Sequence, residues 1–135
     1  MTDREYLACA IKLSHESEEP TKCACILVKD GEIIAETYNS QRADIRTMHH
    51  AEIKAIGLAN KRLGQCSLVG TVAYCSCEPC VMCLSALSLA RVDRIVYDER
   101  MIDVAPDYPM SRLDSQDFAD KYLQSAPKLE RLVIS

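Results

Sequence analysis

The sequence predicts an α/β fold in which helices cover both faces of a mixed five-stranded sheet. Two observations carry this prediction. After one hairpin near the N-terminus, strand-like apolar runs alternate with segments whose apolar residues recur at helical spacing. A helical pattern also separates the last two strands, which indicates that they run parallel. Because 135 residues are enough for one hydrophobic core, we expect a single domain over residues 1–135.

The first elements are a helix and a hairpin. Thr2 and Glu5 form a capping-box pattern that opens the helix, which ends before Pro20 because the residue preceding a proline avoids the helical region. The apolar run 23–28 and the segment 32–38 are separated by an Asp-Gly pair, the typical turn of a two-residue hairpin. We therefore predict two antiparallel strands here, followed by a polar segment.

Beyond the hairpin, helices and strands are predicted in alternation. Gly64 stands at the position of a helix C-cap, and Pro79 fits the first turn of a helix. The predicted segments are a helix over 49–63, a strand over 68–76, a helix over 79–90, a strand over 94–97, a loop over 98–111, a helix over 115–125 and a strand over 129–134.

Composition and charge narrow the classes of partner. The formal net charge is −4, and no cluster of Lys and Arg exceeds a pair, so the basic stripe of a nucleic-acid-binding protein is absent from the sequence. A small-molecule substrate is favoured and nucleic acid is disfavoured. No run of about 18 apolar residues predicts a membrane span, and the charged N-terminus lacks the apolar core of a signal peptide. We expect a cytoplasmic protein.

Eight cysteines raise the alternative of a secreted disulfide scaffold. Four of them lie inside apolar runs, where a free cysteine behaves as a small buried hydrophobic residue: Cys9, Cys23, Cys25 and Cys75. With no secretion signal, reduced and metal-bound thiols explain the cysteines better than disulfides do.

A histidine and two cysteines form the most informative pattern in the chain. Glu52 follows His50 by two positions, and Cys80 and Cys83 lie one helical turn apart. Three ligands of these types suit a catalytic zinc ion, which keeps its fourth position open, whereas a structural zinc ion is closed by four protein ligands. We predict one zinc ion per chain held by His50, Cys80 and Cys83, with Glu52 as the proton carrier.

A structural zinc site built from four cysteines is the alternative, since Cys75 and Cys77 lie just ahead of the two zinc cysteines. That spacing is too compact for the usual paired-loop site, and it leaves His50 and Glu52 without a role. Strand alternation also sends Cys75 and Cys77 into the core. The catalytic interpretation is therefore preferred.

The motifs H-A-E at 50–52 and P-C-x-x-C at 79–83 resemble the signature of the cytidine deaminase superfamily. The stretch 76–84 resembles the branch that holds bacterial guanine deaminases and tRNA adenosine deaminases, and a weaker resemblance extends from about residue 23 to residue 103. This resemblance implies a three-layer αβα sandwich of the cytidine deaminase type with its last two strands parallel. It also implies a homodimer.

The same resemblance implies substrate-binding residues. Asn39 would hydrogen-bond the base or sugar, although a turn-forming asparagine is an equal alternative. Ala51 would offer its backbone N–H to a substrate carbonyl. Asp103 keeps the spacing of a base-reading aspartate in bacterial guanine deaminases, whereas its simpler interpretation is a solvated loop carboxylate.

The predicted function is zinc-dependent hydrolytic deamination of a free nucleobase, nucleoside or related heterocycle, with a guanine-deaminase-like purine first. Editing of adenosine in a tRNA anticodon is one alternative, and deamination of cytosine or cytidine is another. An inactive zinc-binding module is the alternative outside enzymes.

Overall fold

The computed structural model describes residues 1–134 and contains a five-stranded sheet. The strands are β1 (Ala24–Lys29), β2 (Glu32–Tyr38), β3 (Thr71–Cys77), β4 (Arg94–Glu99) and β5 (Lys128–Arg131). Their spatial order is β2-β1-β3-β4-β5. Strand β1 is antiparallel to β2 and β3, whereas β3, β4 and β5 run parallel to one another. The prediction of a mixed sheet whose last two strands are parallel is confirmed.

Helices pack on both faces of this sheet. They are α1 (Asp3–Ser14), α2 (Gln41–Asp44), α3 (Ala51–Leu63), α4 (Val81–Leu89), α5 (Met101–Val104) and α6 (Ser115–Tyr122). Helix α1 lies against β1, β3 and β4, while α3 lies against β1 and β2 and contacts α4, which in turn contacts α6. The buried side chains fall into two clusters, one with α1 and one with α3, α4 and α6. The three-layer αβα sandwich is confirmed.

The two clusters follow from the alternation of side chains along each strand. Ile26, Tyr74 and Val96 pack with α1, while their neighbours Leu27 and Ile95 pack with α3 and α4 on the other face. Burying each large aliphatic side chain contributes about 1.5–3 kcal/mol, so the two faces together fix the register of the central strands.

Several boundaries differ from the sequence prediction. Helix α1 ends at Ser14, well before Pro20, and the Ser14 hydroxyl donates to the Ile11 carbonyl in its last turn. The segments predicted as irregular contain the four-residue helices α2 and α5. Strand β4 extends to Glu99 because it continues to pair with β3 through Cys77. None of the helices within residues 1–134 has both the length and the apolar composition that crossing a membrane requires.

Candidate metal centre and active site

The N-termini of α3 and α4 meet at one end of the sheet. His50 is the N-cap residue of α3 and Cys80 is the N-cap residue of α4, and both have extended backbone conformations. Neither side chain forms a capping hydrogen bond to its own helix, and Cys83 belongs to the first turn of α4. The imidazole and the two thiols are therefore directed to a common point.

The three side chains fit a zinc ion. The Nδ1 atom of His50 lies 3.5 Å from the Cys83 sulfur and 4.0 Å from the Cys80 sulfur. Two ligands of one tetrahedral zinc ion are expected roughly 3.6 Å apart, given Zn–S and Zn–N bonds of about 2.3 and 2.1 Å. Within residues 1–134, His50, Cys80 and Cys83 form the one group of His, Cys, Asp or Glu side chains placed to hold a metal ion. Bound zinc would lower the pKa of water towards about 7.

The two thiols cannot both carry negative charge without a cation. A hydrogen bond from Cys83, assisted by one from His50, outweighs the opposing effect of burial and lowers the pKa of Cys80 to about 4. The hydrogen bond to Cys80 raises the pKa of Cys83 well above the usual range of a thiol. A divalent cation would stabilise both thiolates, so the chemistry of these donors agrees with a zinc site.

Glu52 lies beside the three ligands, in the first turn of α3. Its side chain is only 5% exposed. Burial is the main cause that raises the pKa of Glu52, and the negative charge of Cys80 acts in the same direction. A carboxyl group with a raised pKa can exchange a proton near neutral pH, which is the property required of a proton carrier.

A pocket opens over this centre. Its walls come from four parts of the chain: the residues just before β1 and just after β2, the start of α3, the connection from β3 to α4, and the segment 100–113 that follows β4. We call this segment the roof. The lining residues are Thr21, Cys23, Asn39, Gln41, His50, Ala51, Glu52, Glu78, Cys80, Met101, Ala105 and Tyr108.

Two of the three substrate-binding residues predicted by resemblance line the pocket. The Asn39 side chain accepts from the Cys23 N–H at 3.0 Å and donates to the Thr21 carbonyl at 2.7 Å, so it also joins the end of β2 to the start of β1. Ala51 is the first residue of α3, and its N–H is therefore outside the hydrogen bonds of that helix.

Asp103 lies in α5 and is not among the residues that line the pocket. Its carboxylate accepts from Nε and Nη2 of Arg100 at 3.0 and 3.3 Å, on an exposed surface. The Arg100 hydrogen bond lowers the pKa of Asp103. The structure thus brings together His50, Glu52 and the two zinc cysteines, and leaves Asp103 outside the pocket.

The sequence analysis missed the role of Glu78. Its buried carboxylate accepts from the N–H groups of Met101 and Ser115, both at 3.0 Å. The Ser115 hydroxyl donates to the carbonyl of Pro79 at 2.6 Å. These bonds fix the start of the roof, and the start of α6 just beyond its end, to the residues just before Cys80. The sequence signal that could have indicated this role is the presence of a carboxylate among the apolar residues around the P-C-x-x-C motif.

Tyr108 was missed as well. Its hydroxyl lies 3.7 Å from the Cys80 sulfur, and its ring centre lies 6.1 Å from that of His50. No local pattern around Tyr108 predicts this contact, because it depends on how the roof folds back over α4.

The four-cysteine alternative is not realised within the described residues. Cys75 is buried in the core with its sulfur 3.9 Å from that of Cys25, its partner in the antiparallel pair β1–β3. All eight cysteines, each within residues 1–134, are free. His49 turns away from the centre and its Nδ1 lies 2.7 Å from Asp44.

Residues 1–99 match a protein family described as the cytidine and deoxycytidylate deaminase zinc-binding region. The chain belongs to this family. It is 38% identical over 94 residues to a tRNA-specific adenosine deaminase of Streptococcus pyogenes serotype M18, a match that covers 70% of this chain and 58% of that protein. It is 42% identical over 80 residues to the guanine deaminase of Bacillus subtilis, a match that covers 59% of this chain and 51% of that protein.

Comparison with solved structures extends this similarity to the whole fold. A structure from a study of A-to-I editing by tRNA:A34 deaminases superimposes with a TM-score of 0.81 at 28% identity, covering 97% of this chain and 100% of that chain. The guanine deaminase of Bacillus subtilis superimposes with a TM-score of 0.74 at 30% identity, covering 100% of this chain and 87% of the other. The family membership and the ligand cluster together identify a zinc-binding protein.

Proposed function

We propose that this member of the zinc-binding deaminase family hydrolytically deaminates an aminated purine of small size and releases ammonia. The observation that carries the proposal is the position of Glu52. Its buried carboxyl group stands beside the His50, Cys80 and Cys83 cluster at the base of a pocket. An inactive zinc-binding module would have no use for a buried acid at this point.

The residues of the pocket have distinct roles in this reaction. Glu52 takes a proton from the attacking water and delivers protons to the ring nitrogen and to the departing amine. The N–H of Ala51, which is not used by α3, donates to an acceptor on the ring. Asn39 holds the wall of the pocket in place and uses its remaining lone pair and N–H to contact the substrate.

The roof favours a small molecule over a folded nucleic acid. Met101, Ala105 and Tyr108 line the pocket together with Asn39, so the roof forms part of the wall around the substrate. The net charge of −4 supports the same choice. A guanine-like purine is therefore the first candidate substrate. Asp103 would contact it only after its ion pair with Arg100 is broken.

A tRNA adenosine is the second candidate. It is favoured by the relatives whose names specify tRNA adenosine, one of which is 38% identical to this chain over 94 residues. Tight binding of a tRNA anticodon stem-loop that weakens steeply with salt would support this substrate. A cytosine or cytidine substrate ranks third, because the family description names cytidine whereas the two relatives compared above are named for adenosine and guanine.

Ammonia release from a panel of purine and pyrimidine bases, nucleosides and a tRNA stem-loop tests the proposal. The zinc-loaded protein is compared with Glu52→Gln, which retains shape and loses the proton carrier. We expect turnover of a purine base or nucleoside, and a loss of at least about 100-fold in the variant. Turnover of the stem-loop alone would favour the second candidate. Stoichiometric zinc without any turnover would favour the inactive module.

We also propose that the 135 residues act as one domain in a cytoplasmic homodimer. The outer faces of α3 and α4 present apolar side chains to solvent, with Leu58 51% and Leu89 87% exposed. A second copy would cover this patch. Sedimentation equilibrium is expected to give twice the chain mass of 15.1 kDa. Reduced thiols at the metal centre agree with a cytoplasmic location.

A further inference from the structure

Gln41 holds an unused hydrogen-bond acceptor in the wall of the pocket. It is the first residue of α2, two positions after Asn39, and it lines the pocket together with Glu52. Its Oε1 atom is inaccessible to solvent and has no hydrogen-bond partner within residues 1–134. Buried polar atoms in folded proteins are rarely left unpaired, so an unpaired acceptor inside a pocket indicates a missing partner.

Two other polar side chains of the pocket walls are bonded to the backbone. The amide of Asn39 bonds to Cys23 and Thr21, and the carboxylate of Glu78 bonds to two backbone N–H groups of the roof and α6. Gln41 differs from both, because no bond to the protein specifies where its side-chain oxygen points. Because no bond to the protein holds the amide, rotation of the Gln41 side chain can turn this acceptor towards a molecule in the pocket that it lines.

The backbone at Gln41 is held in place from several sides. The Ser40 N–H donates to the His49 carbonyl at 3.1 Å, and the Ser40 hydroxyl donates to Asp44 at 2.5 Å. The Arg42 N–H donates to the buried carboxylate of Glu19 at 3.2 Å. With both neighbours fixed, the backbone of Gln41 is held at the pocket wall.

We propose that Gln41 determines substrate specificity by accepting a hydrogen bond through Oε1 from an N–H group of the bound heterocycle. The inference rests on the proposed deaminase function. A glutamine amide presents an acceptor and two donors in one plane, and it matches an N–H next to a ring acceptor on the edge of a purine. A ligand that lacks this N–H would leave the oxygen unpaired, and a site of this kind rejects such a ligand strongly.

Gln41→Leu tests the proposal, because leucine has a similar volume and no polar atom. We expect kcat/KM on the preferred purine to fall about 10- to 100-fold, with zinc content unchanged. The melting temperature should not fall, since the variant removes a buried acceptor that has no partner in the protein. Gln41→Glu keeps an acceptor oxygen and should retain more activity than Gln41→Leu. Gln124→Leu, at an exposed glutamine outside the pocket, is the matched control.

N-methylated derivatives of the purine identify the donor. The derivative methylated at the N–H that donates to Gln41 should have a low kcat/KM with the wild-type protein. Its kcat/KM should be no lower with Gln41→Leu, because the same hydrogen bond is already absent. Equal kcat/KM in the wild type and Gln41→Leu within about twofold would overturn this inference alone. Absence of turnover by the wild type on every purine would overturn the proposed function, and the inference with it.

Discussion

The floor and the roof of the pocket are built in different ways. The floor consists of His50, Glu52, Cys80 and Cys83, which stand on the first turns of two helices packed against the central sheet. The roof, residues 100–113, contains the four-residue helix α5 and a series of turns. The floor is positioned by the hydrophobic core, whereas the roof is held largely by the carboxylate of Glu78.

This difference between the floor and the roof separates the residues expected to perform the reaction from those expected to select the substrate. Ligand atoms must be placed within a few tenths of an ångström, and side chains at the ends of rigid elements satisfy that requirement. A segment attached by a few polar bonds can vary in shape without disturbing the metal centre. We therefore expect the floor to determine which reaction occurs, and the roof, together with the wall at Gln41, to determine which ring enters.

The largest expected effect comes from breaking the floor. Cys83→Ala removes one of three ligands, so we expect the zinc content to fall far below one ion per chain and the activity to fall more than about 1000-fold. Metal analysis and ammonia release measure the two effects. Cys66→Ala, at an exposed cysteine, is the matched control and should change neither. A variant that lost activity while keeping stoichiometric zinc would contradict the assigned ligand.

Loosening the roof should have an intermediate effect. Glu78→Gln replaces one acceptor oxygen with an N–H2 group facing a backbone N–H, which costs about 1–3 kcal/mol locally. We expect kcat/KM to fall about 10- to 100-fold, faster proteolysis within 100–113, and unchanged zinc content. Glu99→Gln, on an exposed neighbouring side chain, is the control. Equal proteolysis rates in the two variants would show that Glu78 does not hold the roof.

A milder change to the roof is Tyr108→Phe. The variant keeps the ring over the centre and loses the hydroxyl that lies 3.7 Å from the Cys80 sulfur. Loss of one hydrogen bond to a thiolate should lower kcat/KM about 2- to 10-fold, with zinc retained. Tyr122→Phe, at a tyrosine that is 71% exposed, serves as the control. A loss of kcat/KM as large as that of Cys83→Ala would show that the Tyr108 hydroxyl is as important to the reaction as a metal ligand.

The smallest effect is expected on the α1 side of the sheet, away from both regions. Asp3 accepts from Arg94 at 2.8 Å and from the Tyr74 hydroxyl at 2.6 Å, and the Arg94 bond is the main cause that lowers the pKa of Asp3. Because the folded pKa lies below the unfolded one of about 3.9, the stabilisation is complete above that value and is lost as the pH falls through the folded pKa.

Asp3→Asn should therefore reduce the free energy of unfolding by less than about 1 kcal/mol at pH 7, since Asp3 is partly exposed. The difference from the wild type should shrink as the pH falls below about 3.9. Urea unfolding at several pH values measures it, and activity at pH 7 should not change. A difference independent of pH would show that the charge of Asp3 is not what stabilises the contact.

Elements with a signal that lies within a few residues could be predicted from the sequence alone. Alternation along the strands, the Asp-Gly turn and the helical spacing predicted the five strands and the helices α1, α3, α4 and α6, because each signal lies within a few residues. The metal ligands were also determined locally. The residue types and the spacing of a histidine and two cysteines at helix starts already indicate metal binding. The fold had only to bring the two helix N-termini together.

Features that depend on contacts between distant parts of the chain could be recognised only in the folded structure. The position of the roof rests on Glu78 bonding to residues more than one element away, and Tyr108 reaches Cys80 only through that fold. Asp103 has the sequence spacing of a base-reading residue, yet it pairs with the nearby Arg100. Gln41 gave no pattern at all, because an unpaired acceptor can be recognised only once every neighbouring hydrogen bond is known.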